Sequence, residues 1–303
     1  MVKSVDQLNF LLVIIACIVA HIVPVEALVV SYAFLGPAHY LTEISWLHDR
    51  QYFTTQKYDY VILLPLAVVL PLLYDPHNIL LMITFFLAIC MAFTANWQYR
   101  LGVSLFVTAA FIILNSATSS IYFFLMLPTL VHVFVFTLLF VLLGALRNNS
   151  AYGYLTIGMM VIAGMSFFVD IPLPLLHTQY GMDNITYIQG IYQSFFELID
   201  VDYQQAATQK IIGFVGFAYT YHYLNWFSKT NIIGWNQISS TRLAVIALLY
   251  IGSIALYLYD YALGFKALLI LSVMHVILEF PLNGLSVMQI GKILKAKLVA
   301  RSV

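Results

Sequence analysis

The stretch FLGPAHYLTEISWLHDRQYF, residues 34–53, gathers His39, Glu43, His48, Asp49 and Arg50 in a chain with only 8 histidines and 9% charged residues. Further along, His132 stands in LPTLVHVFVFTLL, His222 in AYTYHYLNWFSKT, and His275 with Glu279 in LSVMHVILEFPLN. The pattern His-x-x-x-Glu thus occurs twice, as HYLTE and HVILE, and a spacing of four stacks imidazole and carboxylate on one face of a helix. Imidazole with carboxylate suits iron, manganese or zinc. The two cysteines, Cys17 and Cys90, lie in apolar runs and read as small buried hydrophobes, so a thiolate zinc site and a disulfide framework are both unsupported. A glutamate beside a ligating histidine either binds the metal or accepts the other ring proton. The sequence leaves both roles open.

These side chains need elements to carry them, and composition defines the elements. The 303 residues are 62% hydrophobic with a mean hydropathy of +0.93, far above the roughly 45–50% apolar share of soluble domains. The expected fold is all-α: a polytopic integral-membrane helical bundle forming one membrane domain over residues 1–303. A bilayer core of about 30 Å takes about 20 apolar residues per helix, which divides the chain into nine spans near 8–35, 58–74, 79–98, 101–118, 120–146, 152–175, 209–228, 243–259 and 265–289. The second carries Pro65 and Pro71, and the count falls to eight if it is re-entrant. The N-terminal run continues past His21, Pro24 and Glu26 without a small-x-small site, and reads as an uncleaved first span. Between 177 and 207 a long polar connection is expected to lie in the interface.

Thirteen basic and thirteen acidic residues cancel, which leaves no basic surface for nucleic acid. Lys292, Lys295, Lys297 and Arg301 mark a cytoplasmic C-terminus under the positive-inside rule. Working back, Lys229 with Arg242, Arg147, Arg100, and Arg50 with Lys57 fall on that same side, and the N-terminus is expected outside, with only Lys3 against it. The localisation that follows is a multi-pass protein of the cell inner (plasma) membrane. In this arrangement His39, Glu43, His48, His132, His222, His275 and Glu279 converge near the cytoplasmic side, whereas His77 and His177 fall on the other. The expected metal ligands are His39, His48, His132, His222 and His275, with Glu43 and Glu279 as catalytic carboxylates and His21 and Glu26 as second choices. Polar groups in hydrocarbon face a bundle interior, a cavity or one another. No HExxH helix, Walker loop or GxSxG elbow is present to support zincin, NTPase or hydrolase chemistry.

The functional expectation is a membrane-embedded non-haem iron oxygenase, using Fe(II) or another divalent metal with O2 on a long apolar substrate such as a carotenoid or acyl lipid. Tyr219, Tyr221, Tyr223 and Trp226 are candidates to line an apolar tunnel. The alternative is a proton-coupled transporter that uses the same His/Glu cluster without metal. Histidines at the inner ends of helices are also the theme of membrane fatty-acid desaturases, but no HxxxH or HxxHH box occurs here. GPAH at Gly36–His39, with single histidines scattered over several spans, resembles the bacterial membrane carotene dioxygenases that form retinal, the Brp/Blh family. That resemblance implies His39, His132, His222 and His275 as iron ligands.

Overall fold

A computed structural model describes residues 2–72, 79–117, 131–171, 176 and 205–301. The described residues contain helices and no strand. The expected interfacial helix within 177–207, and His77 and His177, lie outside them. The helices are α1 (Val2–Ile22), α2 (Pro24–Val30), α3 (Gly36–Asp49), α4 (Tyr60–Leu72), α5 (Ile79–Phe93), α6 (Trp97–Ala117), α7 (Thr137–Asn148), α8 (Ala151–Ser166), α9 (Gln205–Ser228), the single turn α10 (Thr230–Ile233), α11 (Ser240–Tyr259) and α12 (Tyr261–Arg301). Two π-helical segments, Ser31–Leu35 and Val131–Phe136, lead directly into α3 and α7.

Nine spans are not supported. Among the described residues four helices are long and apolar enough to cross a membrane: Lys3–Ile22, Val131–Asn148, Ser240–Tyr259 and Tyr261–Ala300. Helices α5 and α8 are short, at 15 and 16 residues, and parts of the expected spans 58–74, 120–146 and 152–175 fall outside the described residues. The apolar sides of the long helices face outward. Leu243, Val245, Leu248, Ile251 and Leu258 on α11, and Leu101, Leu105, Phe106, Ile112 and Ile113 on α6, are all exposed. Contiguous apolar surface on this scale calls for an apolar surrounding.

The expected first span, 8–35, is a hairpin. Pro24 has no N–H to extend α1, and it opens α2 at the first helical position, which suits proline. Helix α1 runs opposite to α9: Ala20 meets Gly213 and Asn9 accepts a hydrogen bond from Ser228 at 3.1 Å. The α2–α3 limb runs with α9, since Pro24 and Leu28 touch Gly216, Thr220 donates to the Ala27 carbonyl, and the Trp226 indole donates to Thr42 at 3.0 Å. The start of α1 therefore lies at the same end as Lys229, opposite to the expected placement. Lys3 thus lies at the same end as Lys229 and Arg242.

That end also gathers the other basic residues of the sequence argument. Arg242 donates to both carboxylate oxygens of Asp49 at 2.7 Å, tying α3 to α11, and Arg147 bonds Gln289. Arg100 is not a loop charge. Fully buried, it donates to both oxygens of Asp59 at 2.6 and 2.8 Å, to the Thr94 carbonyl and to Thr55, beneath the Trp97 ring. Between α3 and α4, Gln51, Tyr52 and Phe53 all have positive φ, 52–56°, a costly run for non-glycine residues. Burial of Tyr52 against the Tyr60 ring holds it.

The Arg242 hydrogen bonds hold the Asp49 carboxyl below its usual value. An acid with a lowered folded-state pKa stabilises the fold above its unfolded value of about 3.9 and loses that contribution as pH falls through the folded value. Wild type is therefore expected to exceed Asp49→Asn in melting temperature at pH 7 and to converge with it below about pH 3. Exposure and screening keep the difference under about 1 kcal/mol.

Candidate metal centre

His39, His222 and His275 reach one point from α3, α9 and α12, with ligand nitrogens all within 4.8 Å of one another and all three side chains buried. His132 closes a ring of four. Its centroid lies 5.1 Å from His222 and 5.2 Å from His275, while His39 lies 4.7 Å from His222 and 5.3 Å from His275. Each histidine comes from a different part of the chain, so the centre exists only in the folded bundle. His39 precedes Asp49 by ten residues, a rise of about 15 Å. The centre therefore lies well inside the bundle from the exposed end of α3.

Hydrogen bonding favours one state of His222. Thr137 Oγ1 lies 2.7 Å from the Val133 carbonyl, to which it donates, and 2.7 Å from His222 Nδ1. A hydroxyl whose proton goes to the carbonyl accepts from Nδ1, the tautomer in which Nε2 is bare toward His39 Nε2, 3.1 Å away. Two nitrogens each about 2.1 Å from a common ion, at angles of 90–109°, are roughly 3.0–3.4 Å apart. The pair fits a shared metal.

The two carboxylates sit differently. Glu43 Oε2 is 2.9 Å from His39 Nε2, the nitrogen that also faces His222, so it shares the ligand side of the ring. Glu279 Oε2 is 3.3 Å from His132 Nδ1. Neither Glu43 Oε2 nor Glu279 Oε2 has a well-aligned hydrogen-bond partner, and the same holds for both ring nitrogens of His132 and of His275. Buried polar atoms without partners are uncommon in native proteins and point to an absent ion, water or ligand. A divalent cation would satisfy several of these atoms at once, and the donor set suits nitrogen- and oxygen-preferring metals.

Aromatic side chains seal the centre. Tyr40 stacks on His275 at 4.2 Å, and the Tyr223 and Trp226 rings lie 5.1 and 5.4 Å from His39. Tyr40 and Tyr223 join their hydroxyls at 2.6 Å. Gly36 makes room for them: a Cβ there would meet both hydroxyls at 3.0–3.2 Å. Of the tyrosines proposed as tunnel lining, Tyr219 and Tyr223 face this side, whereas Tyr221 packs with Phe217 in a neighbouring cluster.

His48 does not join the group. Nine residues from His39 is half a helical rotation, and its side chain is 60% exposed beside Asp49. His21 is occupied elsewhere, bonded to the Cys17 carbonyl and Ser166 and stacked on Phe167, and Glu26 lies outside the histidine group. Thr137, Thr42 and Tyr40 were missed by sequence reasoning. Thr137 is five residues from His132, far apart at α-helical spacing but one turn of a π-helix, so no regular period reveals it.

An apolar cavity of about 210 Å³ adjoins the π segment, lined by Phe134, Val161, Gly164, Met165, Phe168 and Phe214. None of the four histidines lines it. Fold and site together describe a helical protein suited to a membrane, with a buried histidine-rich centre able to bind a metal ion. Comparison with known protein families, with curated proteins and with solved structures gives no match.

Proposed function

We propose that this chain is a multi-pass membrane metalloenzyme, a non-haem iron oxygenase acting with O2 on a long apolar molecule. The observation that carries the reading is the 3.1 Å approach of His39 and His222 Nε2, with His275 beside them, in a buried ring of four histidines. In this reading His39, His222 and His275 hold Fe(II) and Glu43 shares the ion from the side of His39. Bound Fe(II) supplies the electrons that activate O2, which side chains alone cannot do. Thr137 keeps His222 in the tautomer with Nε2 free. Glu279 Oε2 faces His132 Nδ1 at 3.3 Å, and Tyr40, Tyr223 and Trp226 keep water from the centre.

The apolar surroundings support the substrate class. An apolar groove of about 210 Å³, open to the outside between exposed Val161, Met165 and Phe168, is smaller than the roughly 300–1,000 Å³ of small-molecule pockets, so it suits one stretch of a long chain, with bilayer lipid around the rest. A carotenoid or acyl lipid fits, and the likeness of GPAH to the Brp/Blh carotene dioxygenases supports the former. The clustering of basic residues at one end supports an inner-membrane protein with that end and the C-terminus in the cytoplasm.

The transporter reading draws on the burial of the His/Glu cluster inside the bundle, since carriers bind substrate and protons at such interior polar groups. Oxygen uptake separates the two. Iron-loaded protein in nanodiscs should consume O2 with a carotenoid or acyl lipid and yield an oxygenated product by mass spectrometry, and His275→Ala should abolish both. No uptake with any such substrate, together with proton flux in proteoliposomes, would favour the carrier.

A further inference from the structure

Among the described residues away from the histidines, Asn283 is a polar side chain with neither of its amide atoms, Oδ1 or Nδ2, paired. It has no solvent exposure. It lies on α12 one turn beyond Glu279 and two beyond His275, on the face that also carries buried Ser286. One turn back, Phe280 stacks on Phe85 and meets Phe136 edge-on. At the adjacent Gly284 a Cβ would come within 3.1 Å of Ile89 and Phe93, so α12 and α5 pack closely there.

We propose that the Asn283 carboxamide binds a hydroxyl group inside the bundle, one helical turn from Glu279. A carboxamide presents a donor and an acceptor side by side and carries no charge. A hydroxyl satisfies both with one oxygen, accepting from Nδ2 and donating to Oδ1. An ionised ligand does not suit the seat, since a neutral amide alone cannot compensate a buried charge. The hydroxyl belongs either to a buried water or to the alcohol end of an otherwise apolar molecule. Occupancy of Asn283 does not depend on the metal; only the assignment of an organic alcohol as substrate rests on the oxygenase reading.

Near-isosteric replacement makes the test, because removing a satisfied buried polar group destabilises a protein, whereas removing an unsatisfied one stabilises it. If a hydroxyl is bound, Asn283→Leu should lower the apparent melting temperature of the full chain in one detergent by about 2–6 °C. A high-resolution cryo-electron microscopy map of the wild type should show density within hydrogen-bonding distance of the amide. Compact density with no added mass in native mass spectrometry identifies water. Elongated density with an added mass that Asn283→Leu loses identifies an organic alcohol. A rise in melting temperature, or a wild-type map with no density beside residue 283, overturns the proposal, and the map decides it if the variant does not fold. Either result leaves the iron content of the wild type as a separate measurement.

Discussion

Thr137→Val is expected to weaken metal binding by about 10–100-fold while leaving the fold intact. Valine matches threonine in shape but cannot accept the Nδ1 proton of His222, and outer partners of ligating histidines typically contribute that much to affinity. Without Thr137 the imidazole is free to carry its proton on Nε2, the atom that faces His39 at 3.1 Å. That blocks a lone pair needed for the ion. Competition against a chromophoric chelator would measure the loss, and Thr137→Ser should recover most of it because the hydroxyl still donates to the Val133 carbonyl. Equal affinity in Thr137→Val and wild type would mean that His222 does not bind through Nε2.

Arg100→Met is expected to cost about 3–5 kcal/mol of stability, the range for removing one partner of a buried ion pair. Asp59 would be left charged and buried, having lost both of its short hydrogen bonds from Arg100. The Thr94 carbonyl would lose its donor as well. The double variant Asp59→Leu, Arg100→Met removes both charges and should lie much closer to wild type, since a buried pair is often matched by well-packed apolar residues. Unfolding in mixed micelles measures both. If the single variant costs less than about 1 kcal/mol, the pair is hydrated and the burial of Arg100 is incorrect.

The parts of this architecture that were legible in the sequence are those governed by a regular period. His39 with Glu43, and His275 with Glu279, are spaced by one α-helical turn, and the structure puts both pairs in the interior. The same arithmetic, applied fully, would have removed His48, half a rotation away from His39. Hydropathy found apolar segments but not their direction: 8–35 is apolar apart from Asn9, His21, Glu26 and Ser31, and Pro24 marks the turn that folds it into a hairpin. Thr137 was hidden because a π-helical turn shifts the register by a residue, and Arg100 because charge at a span end reads as a loop signal until a buried partner is known. Asn283 follows Pro281 and precedes Gly284, residues that mark a broken helix rather than the packed interior of one 41 residues long.

Metal content tests the central claim most directly. Full-length protein, purified anaerobically after growth with added iron, would be compared by inductively coupled plasma mass spectrometry with a His222→Ala, His275→Ala double variant of matching fold. The account predicts near-stoichiometric iron in the wild type and loss of nearly all of it in the variant. No transition metal in either protein would contradict it.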